Sequence, residues 1–252
     1  MSGEAASRAN IDLPGVQPRL LEAIHATGTP IVLVVMSGRP LTIPWAAEHV
    51  PAIVESWFLG IETGPALAAV LFGDVSPSGK LPVTFPAREA DAPTAFPERY
   101  PGVNGQQQYS EGVLVGYRWY DTKDITPLFP FGHGLSYTQF RYSDLGITPT
   151  GGGYDVSFRV RNTGAQKGAE VAQVYVGAPS GAPVPMARQS LVGFERVELV
   201  PGEERRMTVH VGAQPLSYWS VARHDWVVLP GRRSVQVGSS SRDVRLRGWT
   251  SK

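Results

Sequence analysis

From Val156 onward the chain alternates: Val156, Phe158 and Val160 are separated by polar residues, the period of two expected of a half-buried β-strand. Asn162-Thr163-Gly164 reads as a turn, and Val171, Val174 and Val176 mark the next strand. Leu191 to Leu199, Arg206 to Val211 and Ser234 to Val237 follow at turn-separated spacing, with Pro201-Gly202 and Pro230-Gly231 as turns. Roughly seven short strands in about 100 residues predict an immunoglobulin-like or fibronectin type III-like sandwich.

Residues 11 to 85 carry a different rhythm. Pro14 suits the first turn of a helix that buries Leu20, Leu21 and Ile24, with Gly28 as its stop. Ile31 to Met36 is continuous and β-branched, the pattern of a parallel strand covered by helices on both faces. Trp45 to His49 reads as a short helix, and Ala52 to Phe58 as a second strand ended by Gly60. Thr63 is placed to cap a helix from Pro65 to Phe72, stopped by Gly73. Such a β-α-β-α order predicts a mostly parallel sheet with helices on its faces.

Between these halves, residues 73 to 136 are punctuated by Pro77, Pro82, Pro86, Pro93, Pro97 and Pro101 and show little helical periodicity. A span of that length without regular structure is functional or wraps another unit. The expected organisation is a partial α/β sandwich over residues 1–90, a Pro/Gly-rich connecting segment over 91–136 and an all-β sandwich over 137–252.

Composition narrows the chemistry. With 23 basic and 22 acidic residues the net charge is +1, so nothing points electrostatically to nucleic acid or an anionic membrane. The absence of cysteine excludes disulfides, thiolate catalysis and thiolate-bound metals. No apolar run is long enough to span a bilayer, and Met1 to Glu4 has neither a basic nor an apolar stretch that would predict a signal peptide. The compartment stays open.

Several motifs fail on inspection. Gly73-Asp74-Val75-Ser76-Pro77-Ser78-Gly79-Lys80 has one residue too many for a phosphate-binding loop, and Leu81 stands where a Ser or Thr is required. Neither a G-x-G-x-x-G after a strand nor a G-x-S-x-G elbow occurs. His25, His49, His133, His210 and His224 do not pair at metal-ligand spacing, so no metal or cofactor is expected. His224-Asp225-Trp226 precedes an expected sandwich strand, and Trp219, Trp226 and Phe194 read as sandwich core or edge aromatics.

Six segments then occur in a telling order. They are Ser2 to Gly15 (SGEAASRANIDLPG), Met36 to Leu41 (MSGRPL), Trp57 to Gly64 (WFLGIETG), Leu71 to Pro82 (LFGDVSPSGKLP), Tyr109 to Arg118 (YSEGVLVGYR) and Pro127 to Tyr137 (PLFPFGHGLSY). Together they resemble the C-terminal half of family 3 glycoside hydrolases, of the β-glucosidase or β-xylosidase type. The residues after them resemble the fibronectin type III-like domain of many members.

The resemblance implies a retaining hydrolase of terminal β-linked sugars. In the family, an Asp on an N-terminal (β/α)₈ barrel attacks the anomeric carbon and a Glu on a loop of the α/β domain protonates the leaving oxygen. It implies Glu4 as the general acid/base, although related sequences also carry a Glu a few residues upstream of that position. Arg8 and Glu62 are implied as residues that orient the loop or the sugar, with a structural ion pair as the alternative for each. Glu111, with Tyr117 and Trp119, lines outer subsites or braces the connecting segment. Carbohydrate is the expected ligand, and a separately encoded barrel an expected partner. The nine aspartates have no barrel context, since a barrel needs about 250 residues of its own. The chain alone is therefore expected to be inactive. A non-catalytic carbohydrate-binding or docking module, or a truncation product without independent role, is the rival reading.

Overall fold

The computed structural model describes residues 10–251. The first part holds helix α1 (Gln17–His25), strand β1 (Val32–Val35), helix α2 (Pro44–His49), strand β2 (Ala52–Glu55) and helix α3 (Thr63–Leu71). Strands β1 and β2 pair in parallel, Val32 opposite Ala52 through Val35 opposite Glu55. Leu21, Val35, Leu41, Ile43, Ala46 and Val50 form a small core beneath them.

Four expectations are corrected here. Leu20 and Ile24 are exposed and only Leu21 of α1 is buried, because the helix starts at Gln17 and presents one narrow stripe to β1. The β-branched run is not sealed on both faces: Val32 and Met36 are exposed, and α3, though apolar throughout, buries no residue. Apolarity reports that a surface wants cover, not that the same 242 described residues provide it. Thr63 is the first residue of α3 rather than its cap, and its hydroxyl donates to the Gly60 carbonyl at 2.6 Å. The second strand also ends early, at Glu55, since Trp57 takes φ 52° and leaves the extended conformation.

The second part is a sandwich of seven strands, as its alternation predicts. One sheet has the order β11-β10-β5-β6 and the other β3-β4-β7. Their ranges are β3 (Phe140–Thr150), β4 (Gly153–Asn162), β5 (Gly168–Gly177), β6 (Gln189–Leu199), β7 (Glu204–Val211), β10 (Ser234–Gly238) and β11 (Val244–Trp249). Phe158, Val156, Val160, Val174, Leu199, Val235 and Val237 are fully enclosed between the sheets. Each such side chain contributes about 1.5–3 kcal/mol of transfer free energy. Strands β8 (Ser217–Ser220) and β9 (Asp225–Val228) form a hairpin of their own. Trp219 and Trp226 face each other across it, edge to face at 5.7 Å, and both are half-exposed, as is Phe194 on β6. These three aromatics are therefore not core.

Strand β5 is buried on both faces, which a sandwich strand is not expected to be. The connecting segment lies against its outer side. Gln173 of β5 donates to the carbonyls of Gly132 (3.2 Å) and Ser239 (2.7 Å) and accepts from the Tyr175 hydroxyl at 2.6 Å. Gly132 sits at φ 81°, and a Cβ there would fall 2.2 Å from the Gln173 carboxamide oxygen, so only glycine fits. Lys80, in the stretch before that segment, pairs with Glu170 of β5 at 2.8 Å, both largely buried. Within the segment, helix α4 (Tyr117–Thr122) places Tyr117 to accept the Leu191 N–H at 2.7 Å, tying it to β6.

Candidate functional site

Glu4 and Arg8 lie outside the described residues. The chain that follows them is anchored where open α/β sheets bind ligands, beyond the carboxyl ends of parallel strands. Asn10 and Asp12 form a small loop, with the Asn10 amide donating to the Asp12 carboxylate at 3.1 Å. The Thr42 hydroxyl donates to Asp12, the Thr42 N–H to the Ile11 carbonyl at 2.9 Å, and the Arg39 guanidinium to the Asn10 carbonyl at 3.3 Å. Residues 10–12 are thereby fastened to the loop that leaves β1.

That loop and the one after β2 are packed into each other. Gly38 passes under Phe58 so closely that a Cβ would lie 2.6 Å from the ring, so a larger residue at 38 pushes that exposed ring aside. The Ser56 N–H and hydroxyl both donate to the Val35 carbonyl, at 2.9 and 3.0 Å. Trp57 is partly buried edge-on to Phe85 at 6.0 Å, a packing role rather than a platform. Glu62, at the N-terminal edge of α3, is exposed and makes no ion pair among the described residues. The structure thus places Glu62 on the same loop system as residues 10–12 without joining it to them.

Glu55 was not among the expected site residues. Its carboxylate sits at the end of β2 and accepts the Trp57 N–H at 3.1 Å and the Ser37 N–H, bridging both loops. Its second oxygen is buried without a hydrogen-bond partner among the described residues. Burial pushes this carboxyl up from 4.5 to about 7, against the two backbone hydrogen bonds that lower it. Between those values the folded chain holds a proton that the unfolded chain releases, so stability falls as pH rises across that window. Glu55→Gln keeps an acceptor for the Trp57 N–H and removes the titration. Its melting temperature is expected to fall less steeply than that of the parent between pH 4.5 and 7 and to stay above it at higher pH. Parallel melting curves over this range would refute the assignment. One signal was legible: Glu55 is the lone charge in an otherwise apolar strand.

Other residues of interest are engaged in packing. Glu111 pairs with Arg99 at 3.6 Å, and Arg99 also lies over the rings of Phe96 and Trp119. Trp119 is buried and donates its indole N–H to the Asp91 carbonyl at 3.1 Å, while Tyr117 stacks on Phe131. These contacts brace the connecting segment. His25 and His49, unremarkable in sequence, meet around Trp45, which stacks on His49 at 4.6 Å. No group of three His, Cys, Asp or Glu able to hold a metal occurs among the described residues. Nor is any described helix long and apolar enough to cross a membrane.

Residues 1–137 match the family described as Glycosyl hydrolase family 3 C-terminal domain, and residues 170–241 match the Fibronectin type III-like domain. The chain belongs to glycosyl hydrolase family 3. Among its family 3 relatives, Beta-glucosidase BoGH3A of Bacteroides ovatus is 40% identical over 248 residues, 96% of this chain and 33% of that protein. A Beta-xylosidase of Formosa agariphila is 41% identical over 251 residues, 97% of this chain and 33% of that protein. The crystal structure of DesR, a β-glucosidase from Streptomyces venezuelae in complex with D-glucose, superposes with a TM-score of 0.94. It is 42% identical and covers 98% of this chain and 32% of DesR. The chain thus spans about a third of the length of the family 3 relatives it matches.

Proposed function

We propose that this chain supplies the α/β part and the β-sandwich of a retaining family 3 glycosidase that removes terminal β-linked glucose or a related sugar. In this reading the nucleophilic Asp comes from a (β/α)₈ barrel, and Glu4 is the general acid/base. Arg8 and Glu62 orient its loop or the sugar. The observation that carries the reading is 40% identity over nearly the whole chain to a β-glucosidase of about three times its length. A retaining mechanism needs two carboxyl groups roughly 5–5.5 Å apart, one ionised to attack and one protonated to assist departure. Glu4 provides the second of these.

The surface supports a docked neighbour. Phe58 is 78% exposed, Ile61 96% and Phe72 86%, all on or beside the loop after β2 and helix α3. Apolar side chains at such exposure suit an interaction face, and a barrel seated against the loop after β2 would cover Phe58 and Ile61. The purified chain by itself is expected to give no turnover of nitrophenyl β-glucosides or β-xylosides. Adding a family 3 barrel that carries the nucleophile is expected to produce it. Turnover by the chain alone, abolished in Glu4→Ala, would overturn this division of labour.

A further inference from the structure

The outer face of the four-stranded sheet carries a cleft that has no part in the reading above. Antiparallel pairing sets Ser234 opposite Trp249 and Gln236 opposite Arg247. Strand alternation puts these four on the face away from the enclosed Val235 and Val237. Arg242 and Asp121 complete the walls of a cavity of about 430 Å³, a volume that suits one or two sugar rings.

The charges of this cleft do not cancel. Asp121 is committed, accepting from Arg242 Nε at 2.6 Å and from the Gln189 amide at 2.8 Å. Arg188, on the same rim, is paired with Asp124 at 2.5 Å. Arg247 has no carboxylate partner among the described residues, and neither has Arg232, whose guanidinium lies 4.9 Å from the centroid of the Trp249 ring. Trp249 is 56% exposed, and Arg232 is not among the residues that line the cleft. Gln236 donates its amide to Gln189 at 2.9 Å, which leaves its carbonyl oxygen without a described partner.

Three complementary groups therefore meet in one place. An exposed indole matches the C–H face of a pyranose, an unpaired guanidinium fork matches a carboxylate, and an amide oxygen matches a hydroxyl. We propose that this cleft binds a hexuronic acid residue, with its ring on Trp249 and its carboxylate on Arg247. The site would hold an acidic polysaccharide on the sandwich, and it stands whether or not the proposed catalytic role does.

The test is a titration of the chain with sodium glucuronate, followed through the tryptophan indole N–H signals in nuclear magnetic resonance. The Trp249 signal is identified by its loss in Trp249→Phe. It is expected to shift saturably with glucuronate, and Arg247→Ala to weaken binding by about tenfold or more, as loss of a charged hydrogen-bond pair does. Arg247→Lys, which keeps the charge and loses the fork, is expected to fall between. The other indole signals, unmoved, report that each variant is folded. Glucose binding as tightly as glucuronate would overturn the proposal by showing that the carboxylate is not read. Acetate or inorganic phosphate doing so would overturn it by showing that the sugar is not. An unchanged affinity in Arg247→Ala, or no shift of Trp249 at all, would overturn it too.

Discussion

With a family 3 barrel supplied, Glu4→Ala is expected to lower kcat/KM for aryl β-glucosides by about a hundredfold to ten-thousandfold, the contribution of a positioned general acid. The deficit is expected to shrink as the departing phenol becomes more acidic. A dinitrophenolate leaves without a proton, whereas an alkoxide does not, so the proton from Glu4 matters most for alkyl glucosides. kcat/KM reports the half-reaction in which the first bond breaks, which isolates this role from the later activation of water. A glutamate that only braces its loop would slow all leaving groups alike. Measuring the series with parent and variant separates the two, and equal losses across it would remove Glu4 from the chemistry.

Asn162→Ala is expected to destabilise the sandwich by about 3 kcal/mol, because a fully buried amide with four bonds is removed and its partners stay behind. The Asn162 carbonyl oxygen accepts from the Thr138 hydroxyl at 2.7 Å and the Gly164 N–H at 3.0 Å. Its amide donates to the carbonyls of Gln166 at 2.8 Å and Leu199 at 3.0 Å. One side chain thus closes the turn after β4, fixes the start of β3 and holds the end of β6. Alanine leaves the Leu199 carbonyl unpaired in a dry interior. Thermal melting should drop by roughly 6–12 °C for a protein of this size. Asn162→Asp preserves the acceptors but turns the donors into an anion facing two carbonyls, so it is expected to be no better. A loss below about 1 kcal/mol in either variant would mean that water replaces the amide.

What the sequence disclosed follows from where information about burial resides. The sandwich was legible because strands such as β7 carry their own inside and outside, Met207, Val209 and Val211 buried against exposed neighbours. The apolar run at β1 was misjudged for the opposite reason. A β-branched strand announces a need for cover on both faces, and here Val32 stays open. Family resemblance reached Glu4, Arg8 and Glu62 through motif order. It said nothing of Glu55, whose importance arises only when two loops distant in sequence offer their N–H groups to one carboxylate. The Trp249 cleft was equally hidden, since it needs the β10–β11 register to bring Gln236 beside Arg247. The strand after His224-Asp225-Trp226 was expected in the sandwich because Val227-Val228-Leu229 has the right residues, but it pairs with β8 in a separate hairpin. Its isolation depends on pairing, which no local pattern encodes.

The lattice of polar contacts between the connecting segment and β5 has a consequence for anyone who would transplant the sandwich. Gln173 and Tyr175 belong to a sheet surface that an irregular stretch of chain has converted into interior, and Glu170, on the opposite face of β5, is buried with Lys80 as its partner. A graft starting at the first strand would strip that covering and present Tyr175 to water, so the portable unit begins near Lys80 rather than near Phe140. Heat, for the same reason, should melt strap and sheet cooperatively.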